Sequence, residues 1–392
     1  MPGRSGEGLR SPVGLDLRDL WCYPSIATKA RGVTSCYIRS IEKAIKPGLE
    51  VEKEGMQIDI EFNSGAQLPM DAMPELARLA EAHGFGCAWA GEANNKDPTV
   101  MLGAIAAVTK RLKIGSAVYH ILGRSPATLA LQAVGLDELS QGRFLLGIGV
   151  SNPTIAGWHG VPFNRPIGRI KEYLEVVCLA IRGEKLKFTG NFFSAHGFKL
   201  AFKPSGRSIP IYLAAFGPQM SRTAGRLTDG VLINMADPAQ IRRIVGHVRQ
   251  GAREVGKDPD RLEIVCKVRC CVARDYDRAR EALSRVLTYY ALADYYRDLL
   301  SRMGFATEVE AMRAAWQASG FQAARALITD RLFNGLPMIA ATSAEEVRSR
   351  IKPYQDVGAT RVILPYVPAS EDVVEEVKSF ISGIGQTINK EN

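Results

Sequence analysis

Eight short apolar segments alternate with stretches of helical spacing between residues 56 and 365. They predict an α/β fold, a closed (β/α)8 TIM barrel with insertions after strands 4 and 7. Three observations carry this reading. The segments are short and rich in β-branched or aromatic residues, as buried parallel strands are. Apolar residues between them recur at three- and four-residue intervals, as in Met73, Leu76, Leu79 and Ala80, or Ile170, Leu174, Val177 and Ile181. Regular alternation over eight units favours a closed barrel over an open sheet.

The first strand is read over 58–62 in MQIDIEF and is followed by a helix over 69–83. Strand 86–90 precedes helix 98–109, strand 112–118 precedes helix 126–139, and strand 143–149 precedes helix 168–182. Strand 209–214 ends in Phe216-Gly217-Pro218, a turn that sets Pro218 at the first position of a short helix. Asp229-Gly230 then turns the chain into strand 231–234, and helix 238–255 follows. Strand 262–273, a long helical region over 275–327, helix 343–357 and strand 360–365 complete the series. Segments 153–169, 184–208 and 275–342 exceed what a βα unit needs and are read as insertions. Residues 56–385 form the barrel domain on this reading. Residues 1–55 show no sustained period and are read as a poorly ordered N-terminal extension or docking arm, with Met56 the natural start.

Composition bounds the function. The chain has 392 residues, 46% hydrophobic and 23% charged, with net charge +9 and a pI near 9.2. Its basic residues are interspersed with acids, so a nucleic-acid patch is not supported. No apolar run is long enough to span a membrane, and the N-terminus lacks the apolar core of a secretory signal. Seven scattered cysteines argue for reduced thiols and a cytoplasmic protein. The five histidines lack metal-ligand spacing and no CxxC pair occurs, so no metal site is expected.

In a (β/α)8 barrel the site lies at the C-terminal strand ends. Those ends carry Glu61 and Asn63; Glu92, Asn94 and Asn95; Tyr119, His120 and Arg124; Ser151, Asn152 and His159; Phe216 and Gly217; and Asn234. Polar groups converging on one mouth mark a small-molecule site, with Glu92, His120 and His159 as candidate substrate contacts. Glu61 stands in an otherwise apolar strand. Facing inward, it would be desolvated with its pKa raised, a candidate catalytic acid. Facing outward, it would be a salt-bridged surface residue, and the alternation of Ile58, Ile60 and Phe62 with Asp59 and Glu61 does not decide between these. The helix after Gly217 points free N–H groups and a positive dipole end at the mouth, which suits an anion such as phosphate. Tyr289, Tyr290, Tyr295 and Tyr296 read as a helix packing seam, or as a lid over a flat cofactor. Cys266 and Cys270 read as small buried hydrophobes, and GIGVS at 147–151 does not fit a dinucleotide-binding fingerprint.

LDELSQGRFLLGIGVSN (136–152) and PIYLAAFGPQMSRTAGRLTDGVLIN (210–234) together resemble the luciferase-like (β/α)8 oxidoreductase superfamily. The branch they most resemble uses the deazaflavin coenzyme F420, especially the methylenetetrahydromethanopterin reductases. The likeness extends in order over most of 56–381 and includes IDIEF, the GF-x-x-x-W of Gly84–Trp89 and the RSPATLA of Arg124–Ala130. It implies coenzyme F420, or alternatively FMN, and a homodimer. It implies that Glu61 looks at the substrate side of the ring, and that Ala117-Val118 is a non-prolyl cis peptide against the ring's back face. It implies a phosphate at Gly217, Pro218 and Gln219, and cofactor contacts from Gly149, Ser151, Asn152, Ala215 and Phe216. Two positions depart from the pattern. Gly91-Glu92-Ala93 lacks the histidine that follows an acid in the family, and Ser151-Asn152 replaces Gly-Asp. The resemblance thus leaves three readings: hydride transfer with F420, an FMN-dependent monooxygenase, and a flavin-binding protein without turnover.

Overall fold

The computed structural model describes residues 55–62 and 68–389. The extension read over residues 1–55 lies, but for Gly55, outside the described residues, as does Asn63.

Eight parallel strands close a barrel. They are β1 (Gln57–Glu61), β2 (Cys87–Ala90), β3 (Lys113–Ser116), β4 (Phe144–Gly149), β5 (Ile211–Ala214), β6 (Gly230–Ile233), β7 (Glu263–Lys267) and β8 (Arg361–Pro365). Each pairs with its sequence neighbours, and β8 pairs with β1 to complete the ring. All eight correspond to strands expected from the sequence.

The period-2 alternation of each strand divides its side chains between two cores. Ile58, Ile60, Ile114, Leu146, Leu213 and Ile264 face the surrounding helices, within the large apolar cluster. Trp89, Leu145, Tyr212, Leu232, Val265 and Ile363 fill the barrel interior. On β1 the interior set is Asp59 and Glu61, so the strand's acids point inward and its isoleucines outward. Buried charge in the interior must be paired. Asp59, fully buried, receives two hydrogen bonds from Arg361, at 2.8 and 2.9 Å, and one from the Trp89 indole at 2.8 Å.

Glycines allow β3 and β4 to meet closely. A Cβ on Gly147 would lie 1.8 Å from the Ser116 carbonyl oxygen. That pairing is sealed on both sides by the Ser116 hydroxyl, which donates to the Gly147 carbonyl and accepts from its N–H. Past β3 the Ala117-Val118 peptide is cis, as the resemblance implied, and Tyr119–His120 resumes pairing with β4.

The two longest connections follow β4 and β7. The first holds the helices Pro153–Trp158 and Pro166–Ile181 and an antiparallel hairpin, Lys187–Thr189 with Ser194–His196. Glu172 pins that hairpin by accepting from the backbone N–H groups of Asn191, Phe192 and Phe193. In the second connection, the strand expected over 262–273 is two strands. Its first half is β7. After Val268 the run Arg269–Val272 takes a new partner, pairing in parallel with Met338–Ala341, while Cys270 still bridges Tyr366 just past β8. That partner strand went unread: it falls in segment 275–342, read as an insertion, beyond the helical region read over 275–327. Helices Tyr276–Leu292, Asp294–Leu300 and Ala306–Ser319 pack over it with a core of their own. The last helix, Val373–Asn389, also went unread.

Candidate active site

A cavity of about 290 Å³ opens at the C-terminal ends of the strands, where the fold class places the site. Of the residues expected there, Glu61, Glu92, Asn95, Ala117, Val118, His120, Gly149, Ser151, Asn152, Ala215, Phe216 and Asn234 line it. Gly217, Pro218, Gln219 and His159 do not. Gly217 is the N-cap of the ten-residue helix Pro218–Leu227, beside the cavity edge formed by Phe216. His159 stands behind His120, with ring centroids 4.7 Å apart. The Asn152 side chain is occupied as the N-cap of helix Pro153–Trp158, accepting from the Ile155 N–H at 3.1 Å.

Glu61 points inward, but it is not a lone desolvated carboxyl. Its Oε1 accepts from Lys267 Nζ at 2.9 Å, and both side chains are buried. Lys267 also donates to the carbonyl of Ala117 at 2.6 Å. One ammonium thus joins three walls: β1 through Glu61, the end of β3 through Ala117, and β7, which carries the lysine. Glu61 Oε2 is buried with no hydrogen-bond partner among the described residues. A buried acceptor in that state calls for a donor.

A second cluster forms the neighbouring wall. Arg124 grips Glu92 in a two-pronged ion pair at 2.5 and 2.8 Å. Glu92 Oε2 also accepts the His120 N–H at 2.8 Å. His120 Nδ1 accepts from the Gly123 N–H, which leaves the neutral ring's proton on Nε2, 3.4 Å from Glu92 Oε2. At that contact Nε2 is close to the carboxylate but makes no hydrogen bond. Burial lowers the His120 pKa more than Glu92 raises it. The folded protein therefore takes up this proton less readily than the unfolded chain, and stability falls as pH drops below about 6.5, the ordinary histidine value. His120→Asn is expected to flatten the decline in urea midpoint between pH 6.5 and 5. An unchanged slope would remove His120 as its source.

The sequence reading missed Lys267 and Arg269. Both sit in a run otherwise made of Cys266, Val268 and Cys270, and two charges at period 2 in a buried strand were the available signal. The tyrosines also resolve. Tyr290, Tyr295 and Tyr296 line the cavity and stack edge to face, at 4.5 Å for Tyr290–Tyr296 and 5.3 Å for Tyr295–Tyr296. Tyr289 faces away, 69% exposed, against Phe321. Among the described residues no group of three or more His, Cys, Asp or Glu could hold a metal ion. No described helix is long and apolar enough to cross a membrane.

Comparison with known proteins agrees with the geometry. A family model described as luciferase-like monooxygenase matches residues 56–361. The chain is 31% identical to a 5,10-methylenetetrahydromethanopterin reductase of Archaeoglobus fulgidus, over 79% of this chain and 92% of that protein. It is 27% identical to the reductase of the same name from Methanolobus tindarius, over 80% of this chain and 97% of that one. Among solved structures, the coenzyme F420-dependent tetrahydromethanopterin reductase of Methanopyrus kandleri aligns with a TM-score of 0.74 at 24% identity, covering 86% of this chain and 99% of that chain. A monooxygenase from Streptomyces bottropensis aligns at 0.64 and 20%, covering 86% and 99%. At these identities the two structures speak for the fold. The eight-stranded barrel, the polar mouth and the match over 56–361 together make this chain a member of the luciferase-like monooxygenase family.

Proposed function

We propose that this protein is an oxidoreductase that uses coenzyme F420 to transfer hydride to or from a small organic substrate at the barrel mouth. The observation that carries the proposal is Glu61: a buried, cavity-lining carboxylate, fixed by Lys267, with one oxygen that has no hydrogen-bond partner among the described residues. Relatives at 31% and 27% identity are reductases by name, which supports the same reading.

The residues present fit a flat ring with a phosphate-bearing tail. Ala117, Val118, Gly149 and Ala214 give a wall of small side chains. On Gly149 a Cβ would come within 2.9 Å of Val118, so that wall admits no more bulk without rearrangement. The first-turn N–H groups of Gln219 and Met220 have no partner within their helix and suit a phosphate. When bound, the deazaflavin supplies a hydride donor or acceptor. The protein's part is to hold, orient and keep dry. Ala117 and Val118 would back the ring, and Gly217, Pro218 and Gln219 would anchor its phosphate. Ser151, Asn152, Ala215 and Phe216 would border it. Glu61 would hold or give a proton through Oε2, while Lys267 fixes the carboxylate's orientation. Glu92 and His120 would contact the substrate with His159 behind them, and Tyr290, Tyr295 and Tyr296 would close the site against water.

An FMN-dependent monooxygenase is the second reading, favoured by the family's description and by the monooxygenase among the similar folds. The described cysteines, Cys87, Cys178, Cys266, Cys270 and Cys271, are all free, which suits a cytoplasmic enzyme. The family resemblance suits a homodimer. The test compares two reactions. Without oxygen, reduced coenzyme F420 is mixed with protein and an acceptor panel headed by 5,10-methylenetetrahydromethanopterin, and return of the oxidised cofactor is followed. With oxygen, reduced FMN is supplied and substrate-dependent oxygen uptake is followed. Turnover in the first alone is expected, and turnover in the second alone would replace the proposal with the monooxygenase.

A further inference from the structure

The carboxylates of the cavity are already matched by cations, Glu61 by Lys267 and Glu92 by Arg124. Arg269 is not matched. Its side chain lines the cavity, the residue is 3% exposed, and no carboxylate among the described residues lies within ion-pair distance. Its partners are neutral. One guanidinium nitrogen donates to Asn234 Oδ1 at 2.9 Å, another donates to the Tyr290 hydroxyl, and the group lies 4.8 Å from the Tyr290 ring centroid. Arginine does not shed its proton in proteins. Asn234 and Tyr290 hold the guanidinium in place without neutralising it, and two neutral partners do not offset the burial of a full charge.

We propose that the substrate carries an oxyanion, a carboxylate or a phosphate, that docks on Arg269. The placement follows from the barrel. β3 and β7 are four strands apart in an eight-membered ring and so form opposite walls. Arg269 follows β7 directly and lines the same cavity as Lys267, two residues earlier. Resting on the reading above, in which the ring lies against Ala117-Val118, Arg269 faces the side open to substrate. The Gly217 turn at the end of β5 serves the cofactor's phosphate, so Arg269 is left to a second anion. The tyrosines beside it suit an apolar or aromatic body next to that charge.

The experiment titrates the full-length protein, without cofactor, with benzoate, phenyl phosphate and the neutral benzamide, by isothermal titration calorimetry. The same titrations are made on Arg269→Gln and Arg269→Lys, and each protein is titrated separately with coenzyme F420. The expected result is saturable binding of benzoate or phenyl phosphate at least about tenfold tighter than benzamide, a difference of 1.4 kcal/mol or more. The stronger of the two identifies the oxyanion. Arg269→Gln should abolish the preference and Arg269→Lys restore part of it, since lysine keeps the charge and loses the fork. F420 affinity should stay within about threefold in both variants. Equal binding of benzamide and both anions by wild-type protein would overturn the proposal, whether or not the variants fold. So would a tenfold loss of F420 affinity in Arg269→Gln, which would assign the charge to the cofactor. Failure of wild-type protein to bind F420 while retaining the anion preference would overturn the cofactor reading and leave this one standing.

Discussion

Replacing Asp59 by Asn is expected to destabilise the fold by about 3–5 kcal/mol, the usual consequence of removing one partner of a buried ion pair. Arg361 would remain 4% exposed, facing an amide where it now meets a carboxylate through two hydrogen bonds. Its remaining acid, Glu263, lies 3.9 Å away and already accepts the Tyr212 hydroxyl. Asp59 and Glu263 hold the Arg361 pKa above its ordinary value despite burial, so loss of Asp59 is not relieved by loss of the proton. The measurement is the urea midpoint of single and double variants. Asp59→Asn alone should show the full loss, and Asp59→Asn with Arg361→Gln should recover a substantial part. A loss below about 1 kcal/mol for the single change would mean that water or a moved side chain solvates the guanidinium and that the interior is not dry.

The second large effect is catalytic. Glu61→Gln is expected to lower turnover by about 10²–10⁴-fold, the range typical of a positioned acid or base, while leaving cofactor affinity nearly unchanged. Lys267→Met should also reduce turnover, for a different reason. It strands a buried carboxylate and releases the carbonyl of Ala117, and its stability cost should resemble that of Asp59→Asn. The double variant separates the roles. Glu61→Gln with Lys267→Met should regain most of the lost stability and none of the lost turnover. If Glu61→Gln turns over like wild type, Glu61 carries no proton in the rate-limiting step, and the pair is only a brace between β1 and β7.

Much of the fold was legible because periodicity reports burial. A buried parallel strand needs a short apolar run and a surface helix needs a stripe, and each of the eight barrel strands had its run. What escaped lacked such a signal. Met338–Ala341 is four apolar residues near the end of the insertion read over 275–342, too short for its period to tell strand from helix. The split at Val268 was invisible because β7 and Arg269–Val272 are equally apolar, and only the change of pairing partner divides them. The site divides the same way. The end of β1 located Glu61 at the mouth, but whether Asp59 and Glu61 face inward depends on the other seven strands. Trp89, Tyr212 and Arg361 had to be in place before that face could be called interior. Lys267 and Arg269 were hidden by the expectation that a strand rich in cysteine is simply core. A charged residue inside a buried strand is the stronger signal, since burying it requires a partner that the sequence does not show.

The central claim is that the mouth lined by Glu61, Lys267 and the Ala117-Val118 wall accepts a deazaflavin ring. Equilibrium titration of the purified protein with coenzyme F420 and with FMN, following cofactor fluorescence, tests it most directly. The account predicts saturable binding of F420 at least about tenfold tighter than FMN. Tighter binding of FMN would contradict the cofactor assignment and move the chemistry to oxygen. Binding of neither would leave this chain the family's barrel without the family's chemistry.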